Sequence, residues 1–446
     1  MSQGTDLTQG SIPRKLRQLT LPMMLGIVSM VAFNLIDTYF VGKLGKQELA
    51  ALSFTFPIIM IVFSIIQGLG IGATALISKS IGKNDRKKAA RETTDSIFLT
   101  LMLTGIFVII GLLTMSPTLS LLGADGDTGD MAGQYMRVWY FALFFVSVPF
   151  VGNSAIRATG DAKTPTYIML FAVLVNAVLD PILIFGYWGF PALGLEGAAI
   201  ATAVSRALTM ILSFYILIKR ERLITFEIPS LKVITGCWRS ILFIALPSAL
   251  ARVVVPIATG IVTALLASSG EFAVAAFGVG SRIEFLANSL IFALAASIGP
   301  FVGQNLGKGK LDRVKEGVRI SNLFAFFWGL FSWAILAAFA RPIALIFNSN
   351  EEVIETVKWF LWIVPAGFGM QGILSVINSS LNTINKPLQA SGVIVIQMLI
   401  VGLPLVYLGQ HFAQVQGIFA GLALTYIFGG LISLFLNKKI MRNMQT

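Results

Sequence analysis

Residues 16–41 read LRQLTLPMMLGIVSMVAFNLIDTYFV, an apolar run with Pro22 near one end and Asp37 near the other. From Leu19 to Ile36 it carries no charge. Crossing about 30 Å of hydrocarbon takes about 20 predominantly apolar residues in helical form, so this run is long enough to span a bilayer. Residues 1–15 are polar, and the run has no small-residue cleavage site. It therefore reads as a retained membrane span and not as a cleavable signal segment. Working outward, eleven further stretches qualify, at 49–78, 96–116, 133–156, 165–188, 194–218, 238–266, 272–302, 320–346, 356–380, 388–410 and 415–436. Prolines inside several of them, among them Pro22, Pro149, Pro181 and Pro247, are tolerated in membrane helices where neighbours re-satisfy the freed backbone groups. The loops between are short and rich in Gly, Asp and Lys, as turns require. The expected fold is an all-α polytopic membrane protein of twelve helices.

Composition agrees with this. Of 446 residues, 56% are hydrophobic and 12% charged, against about 25% charged in soluble domains. A mean hydropathy of +0.83 excludes a water-soluble chain of this length. The single cysteine, Cys237, and single histidine, His411, exclude an internal disulfide framework and a zinc cluster. They also leave no partnered nucleophile for hydrolytic or redox chemistry, so no enzyme is expected.

The net charge of +12 would ordinarily raise nucleic acid as a partner. Its distribution decides otherwise. Twenty-five Lys and Arg fall in the termini and alternate loops on one side, five fall on the other, and three (Arg206, Arg252, Arg282) lie inside spans. Such an alternation is the positive-inside pattern, which places both termini in the cytoplasm and the chain in the plasma membrane. No nucleic-acid binding follows from it.

A repeat runs through the chain at an offset of 225. Leu21-Pro22 recurs as Leu246-Pro247, Ala50-Ala51 as Ala275-Ala276, Gly82-Lys83 as Gly307-Lys308 and Asn153-Ser154 as Asn378-Ser379. Six spans per half is an even number, so the halves enter the membrane in the same sense, a parallel repeat. The expected organisation is a first six-helix lobe at 1–218, a cytoplasmic linker at 219–237 and a second lobe at 238–446, enclosing a central cleft suited to alternating access.

Six ionisable residues remain inside spans: Asp37, Asp180, Arg206, Arg252, Arg282 and Glu284. Each costs roughly 2.5–3.5 kcal/mol on insertion scales and calls for a reason. Asp37 on span 1, Asp180 with Asn176 one turn before it on span 5, and Thr202 on span 6 fall at one depth near the outer face. Two carboxylates, an amide oxygen and a hydroxyl suit a proton-sharing pair or a small hard cation. The plainer reading makes Asp37 an interfacial residue and pairs Asp180 with an arginine. The asymmetry of the repeat argues against it: Val262 stands 225 beyond Asp37, and Gly402 and Leu403 stand near the counterpart of Asp180. In the second lobe, Glu284 and Arg252 read as a buried pair that holds helices together. Arg206 reads either as a partner or as a cleft-lining group. The 15 Met and 34 Phe suit an adaptable pocket but equally suit packing and lipid contact. Gly68, Gly70 and Gly72 inside span 2 read as close helix packing, since no phosphate-loop Lys follows.

Leu21-Pro22, Asn34-Leu35-Ile36-Asp37, Val41-Gly42-Lys43-Leu44-Gly45 and Ala158-Thr159-Gly160-Asp161 resemble the multidrug and toxic compound extrusion (MATE) transporters. Asn176-Ala177-Val178-Leu179-Asp180-Pro181 resembles the DinF-like branch. The resemblance covers essentially the whole chain. It implies a secondary antiporter that exports lipophilic, often cationic compounds by alternating access in exchange for protons or sodium ions, without a further cofactor. It places the principal coupling residue on Asp37 and the first-lobe ion site on Asn176 and Asp180. The span 6 threonine falls on Thr202, and the span 4 tyrosine on Tyr135 with Tyr140 as its neighbour. Pro22 matches a helix-bending proline. If sodium is the coupling ion, Asp37, Asn176, Asp180 and Thr202 are its ligands. The implied partners are small lipophilic cations and membrane lipid, the chain working as a monomer. The acid pair that marks the second lobe of the NorM-like branch is absent.

In the mechanism these residues support, a proton entering from outside neutralises Asp37, shared with Asp180, and span 1 repacks at Pro22 to release a cationic substrate. Other transporter plans remain open at this stage. A major facilitator transporter also has twelve spans, but Gly82-Lys83-Asn84-Asp85 is one residue short of that family's loop motif and lacks its second Gly. A lipid-linked oligosaccharide flippase would use Arg206, Arg252 and Arg282 to hold pyrophosphate. A channel would need polar rings about a symmetry axis, which the Asp37 and Asp180 pair of one lobe does not supply.

Overall fold

The computed structural model describes residues 5–124, 126–227 and 229–444. All its elements are helical: α1 Ile12–Gly42, α2 Lys46–Gly82, α3 Arg86–Leu121, α4 Gly126–Ala158, α5 Lys163–Phe185, α6 Gly194–Tyr215, α7 Leu231–Ala267, α8 Glu271–Gly307, α9 Leu311–Ala338, α10 Ala340–Phe347, α11 Glu351–Ile363, α12 Phe368–Thr383, α13 Pro387–Val395 and α14 Leu403–Asn443. α6 ends in a π-turn at Ile216–Arg220, and a second π-turn, Ile396–Gly402, joins α13 to α14. A 3-10 turn containing Pro365, Val364–Gly367, links α11 to α12.

Eleven helical stretches among the described residues are long and apolar enough to cross a membrane. The last of these, Pro387–Asn443, has 57 residues, about 85 Å of helix at 1.5 Å per residue, far more than one bilayer requires. It breaks at Ala413 (φ −144°) and Gln414 (φ 46°), where the chain reverses. Gly409 and Gly417 flank the reversal, and a Cβ on Gly417 would lie 1.8 Å from the Gly409 carbonyl oxygen, so only glycine permits this approach. Two spans therefore occupy this stretch, as 388–410 and 415–436 anticipated, and the described residues form twelve membrane-crossing segments.

The chain folds as two compact units, and they differ from the lobes expected at 1–218 and 238–446. One contains Leu25–Leu246; the other contains Thr8–Met24 together with Pro247–Thr446. Both α1 and α7 thus change units, between Met24 and Leu25 and between Leu246 and Pro247, close to the repeated Leu-Pro pairs. The physical reason lies in what each end packs against. Leu217, Leu223, Ile241 and Ala245 bury themselves among Leu69, Ala73, Ile77 and Ala155 of the first unit. There Trp238 Nε1 also donates to the Asp95 carbonyl oxygen at 3.1 Å. The stretch 219–237 is consequently part of the first unit's packing and not a free linker. In the second unit, Lys310 Nζ donates to the Thr8 carbonyl at 2.8 Å and Arg313 Nη1 to that of Gly10 at 3.0 Å.

Each unit has its own core. In the first, Tyr135, Met136, Trp139 and Leu143 of α4 pack among Val62 and Ile66 of α2 and Ala198 and Ala199 of α6. α2 approaches its neighbours closely: a Cβ on Gly70 would meet the Phe150 ring at 2.8 Å, and one on Gly72 the Ile241 carbonyl at 2.8 Å. That is the close packing read from the Gly68–Gly72 stretch. In the second unit Phe277, Phe360 and Phe419 meet edge to face, the last two 5.2 Å apart at 81°. Large apolar side chains such as Leu113, Ile211, Phe327 and Phe435 remain exposed, as a lipid-facing surface requires.

Candidate functional site

α5 supplies the most deeply buried part of the site. Asn176 and Asp180 are both fully buried, and their i, i+4 spacing puts them on one face of the helix. Asn176 Nδ2 donates to Asp180 Oδ1 at 3.0 Å. This leaves Asp180 Oδ2 and Asn176 Oδ1 buried without a hydrogen-bond partner among the described residues. A buried polar atom left unpaired costs about 1–3 kcal/mol. The helix end is fixed by Gly186, whose left-handed φ of 76° closes α5 just past Phe185.

α1 brings Asp37 into the same unit. Its side chain is half-buried, and its Oδ1 is enclosed and likewise unpartnered. Asp37 and Asp180 lie within electrostatic range of each other, and Tyr135, buried on α4, lies within range of both. Tyr140, one and a half turns further along α4, does something else: its ring covers Gly111 of α3, where a Cβ would fall 2.4 Å from it. Of the two tyrosines, Tyr135 is the one beside the carboxylates.

α6 contributes Thr202 and, one turn later, Arg206. Thr202 is buried and makes no hydrogen bond to either carboxylate among the described residues. Arg206 acts electrostatically on Asp37 without an ion pair within 4.0 Å. Its guanidinium carbon instead sits 4.3 Å above the ring of Phe33, which stands one turn before Asp37 on α1. Here a cation is attracted by the ring face, and Arg206 is held near Asp37 without pairing with it directly. Phe33 carried no mark in the sequence beyond its spacing of four from Asp37.

The arrangement can therefore hold one or two protons on paired carboxylates, or present the oxygens of Asp37, Asn176 and Asp180 to a small hard cation. No group of three His, Cys, Asp or Glu side chains is placed to hold a metal ion among the described residues.

The second unit differs from expectation. Glu284 does not pair with Arg252; Tyr426 Oη donates to Glu284 Oε1 at 2.8 Å. Arg252 is exposed on α7, and neither residue takes part in an ion pair within 4.0 Å among the described residues. Sequence reasoning paired opposite charges and passed over a hydroxyl 142 residues away. Pro22 lies inside α1, which is helical throughout Ile12–Gly42.

Comparison with known proteins agrees with this geometry. The MatE family profile matches twice, at residues 22–182 and 247–408, so each match begins at one of the repeated prolines. A FAD transporter of Shewanella oneidensis is 33% identical over 440 residues, covering 99% of this chain and 97% of that protein. The probable multidrug resistance protein YoeA of Bacillus subtilis is 24% identical over 447 residues, covering 98% and 96%. Among solved structures, the Vibrio cholerae MATE transporter VcmN in its bent form superposes with a TM-score of 0.92 at 30% identity, covering 97% of each chain. With twelve crossing segments, a repeated half and two matches that together span most of its length, this chain belongs to the MatE family of membrane transporters.

Proposed function

We propose that the protein is an ion-coupled antiporter of the plasma membrane, with cytoplasmic termini, that exports small lipophilic cations as a monomer. Asp37 and Asp180 form its coupling site. The observation that carries this reading is the pair of intramembrane carboxylates with enclosed, unpartnered oxygens and, among the described residues, no ion pair within 4.0 Å to compensate them. Such groups persist in a membrane protein where their charge state is used. Loading the pair with a proton or a sodium ion removes the electrostatic hold on a cationic substrate. Coupling follows when ion and substrate stabilise different arrangements of the two units. Asn176 positions Asp180, Tyr135 lines the pair, and Thr202 supplies a further oxygen if sodium is the ion. Ethidium transport into proteoliposomes under a proton gradient alone, and then a sodium gradient alone, tests the reading. Gradient-driven accumulation under one of them is the expected result.

A second reading has a specific observation behind it. The relative with 33% identity over nearly the whole chain is a FAD transporter. FAD is a flavin joined to an anionic diphosphate, and Arg206, placed in the first unit above Phe33, is a cation able to meet such a charge. On this reading the exported compound is an amphipathic dinucleotide and the carboxylates keep their coupling role. FAD and ethidium assayed in the same vesicles separate the two.

A further inference from the structure

The second unit holds a half-open cavity of about 230 Å³ at the place where the repeat would put the first unit's site. Its wall includes Ala258 and Val262, which stand 225 positions beyond Phe33 and Asp37, and Gly402, near the counterpart of Asn176 and Asp180. The acids of the first unit have no equivalents there. A different helix supplies the carboxylate instead: Glu284 of α8 lines the cavity, with Tyr426 of α14 donating to its Oε1 at 2.8 Å. The π-turn at Ile396–Gly402 contributes Met398 and Gly402 to the wall. π-turns often occur at functional sites.

We propose that this cavity is a second binding site, separate from Asp37 and Asp180, for one compact organic cation of the alkyl- or arylammonium class. Three features define the ligand. Glu284 is the cavity's single charged group, and its nearest basic neighbours on α7 and α8, Arg252 and Arg282, make no ion pair with it within 4.0 Å among the described residues. Apart from the hydroxyls of Thr259, Ser281 and Thr425, the remaining wall is apolar and aromatic, with Phe277, Phe285 and Phe292, whose ring faces attract a cation and whose bulk suits an apolar body. The volume lies below the roughly 300–1,000 Å³ of drug-sized sites, so the ligand is small. This inference concerns binding and stands whether or not the first unit couples to an ion.

The probe is radiolabelled benzyltrimethylammonium, titrated on the purified protein in nanodiscs at fixed pH. Saturable binding is expected, weakened at least tenfold by Glu284→Gln and by Val262→Phe, which fills the cavity while keeping the acid. In the Asp37→Asn/Asp180→Asn protein, a saturable, Glu284-dependent component of binding should remain. On the wild-type protein, where no variant has to fold, the probe should protect Glu284 from modification by dicyclohexylcarbodiimide, read by peptide mass spectrometry. The proposal is overturned if binding survives Glu284→Gln intact, if it disappears in the Asp37→Asn/Asp180→Asn protein, or if the probe leaves Glu284 labelling unaltered.

Discussion

Asn176 donates its side-chain amide to Asp180 across one turn of α5, Nδ2 to Oδ1 at 3.0 Å, with both side chains fully buried. The bond uses one carboxylate oxygen and leaves the other enclosed and unpartnered. Asp180 is thereby oriented by its own helix, and its free oxygen is available to a proton or an ion.

Asn176→Ala removes that donor and nothing larger. A hydrogen bond to a charged group contributes about 1.5–3 kcal/mol, so gradient-driven export should fall at least tenfold while folded yield stays near wild type. Export rates at a fixed gradient check this. An unchanged rate would mean that Asp180 is positioned by other groups.

The loop between α6 and α7 is held by Arg220, which bonds Asp161 Oδ2, Thr164 Oγ1 at 2.8 Å and Glu221 Oε1 at 2.9 Å. Glu221 is fully buried. Removing one partner of a buried pair costs about 3–5 kcal/mol, and since Arg220 is itself 29% exposed, Arg220→Ala should fall near the lower end. Thermal unfolding in detergent measures it. Arg220→Lys should recover only part of the loss, because an ammonium lacks the planar fork that reaches three acceptors.

The reversal at Gln414 depends on two backbones in contact. Gly417→Ala would place a Cβ 1.8 Å from the Gly409 carbonyl, and the collision is with backbone, which cannot swing aside. Forcing a group into such a contact costs about 1–3 kcal/mol. Gly392→Ala, where no atom lies within 4 Å, is the matched control and should leave the melting temperature unaltered.

Much of this architecture was legible in the chain because membranes impose a length rule and a charge rule. The twelve segments and their limits around the Gln414 reversal follow from them, and the 225-residue repeat was visible in recurring pairs such as Leu21-Pro22 and Leu246-Pro247. The shared face of Asn176 and Asp180 follows from helical spacing alone. What escaped was pairing between distant segments. Nothing local marks Thr8–Met24 as packing with the second unit, or 219–246 with the first, because both segments have the same apolar composition as their alternatives. Glu284 was matched to an arginine by charge, whereas its partner is the Tyr426 hydroxyl, and a tyrosine in an apolar helix gives no sign of the acid it faces. Arg206 was ambiguous for a similar reason: a cation resting on the Phe33 ring leaves no polar pattern in the sequence.

The central claim is that the paired carboxylates of the first unit couple export to an ion. The most direct measurement is ethidium export in proteoliposomes under the driving gradient, comparing wild type with Asp37→Asn and Asp180→Asn. Both substitutions keep shape and remove the titrating group. The account predicts loss of gradient-driven export in each variant, with the purified variant binding ethidium more weakly than wild type. Full gradient-driven export by Asp37→Asn would contradict it.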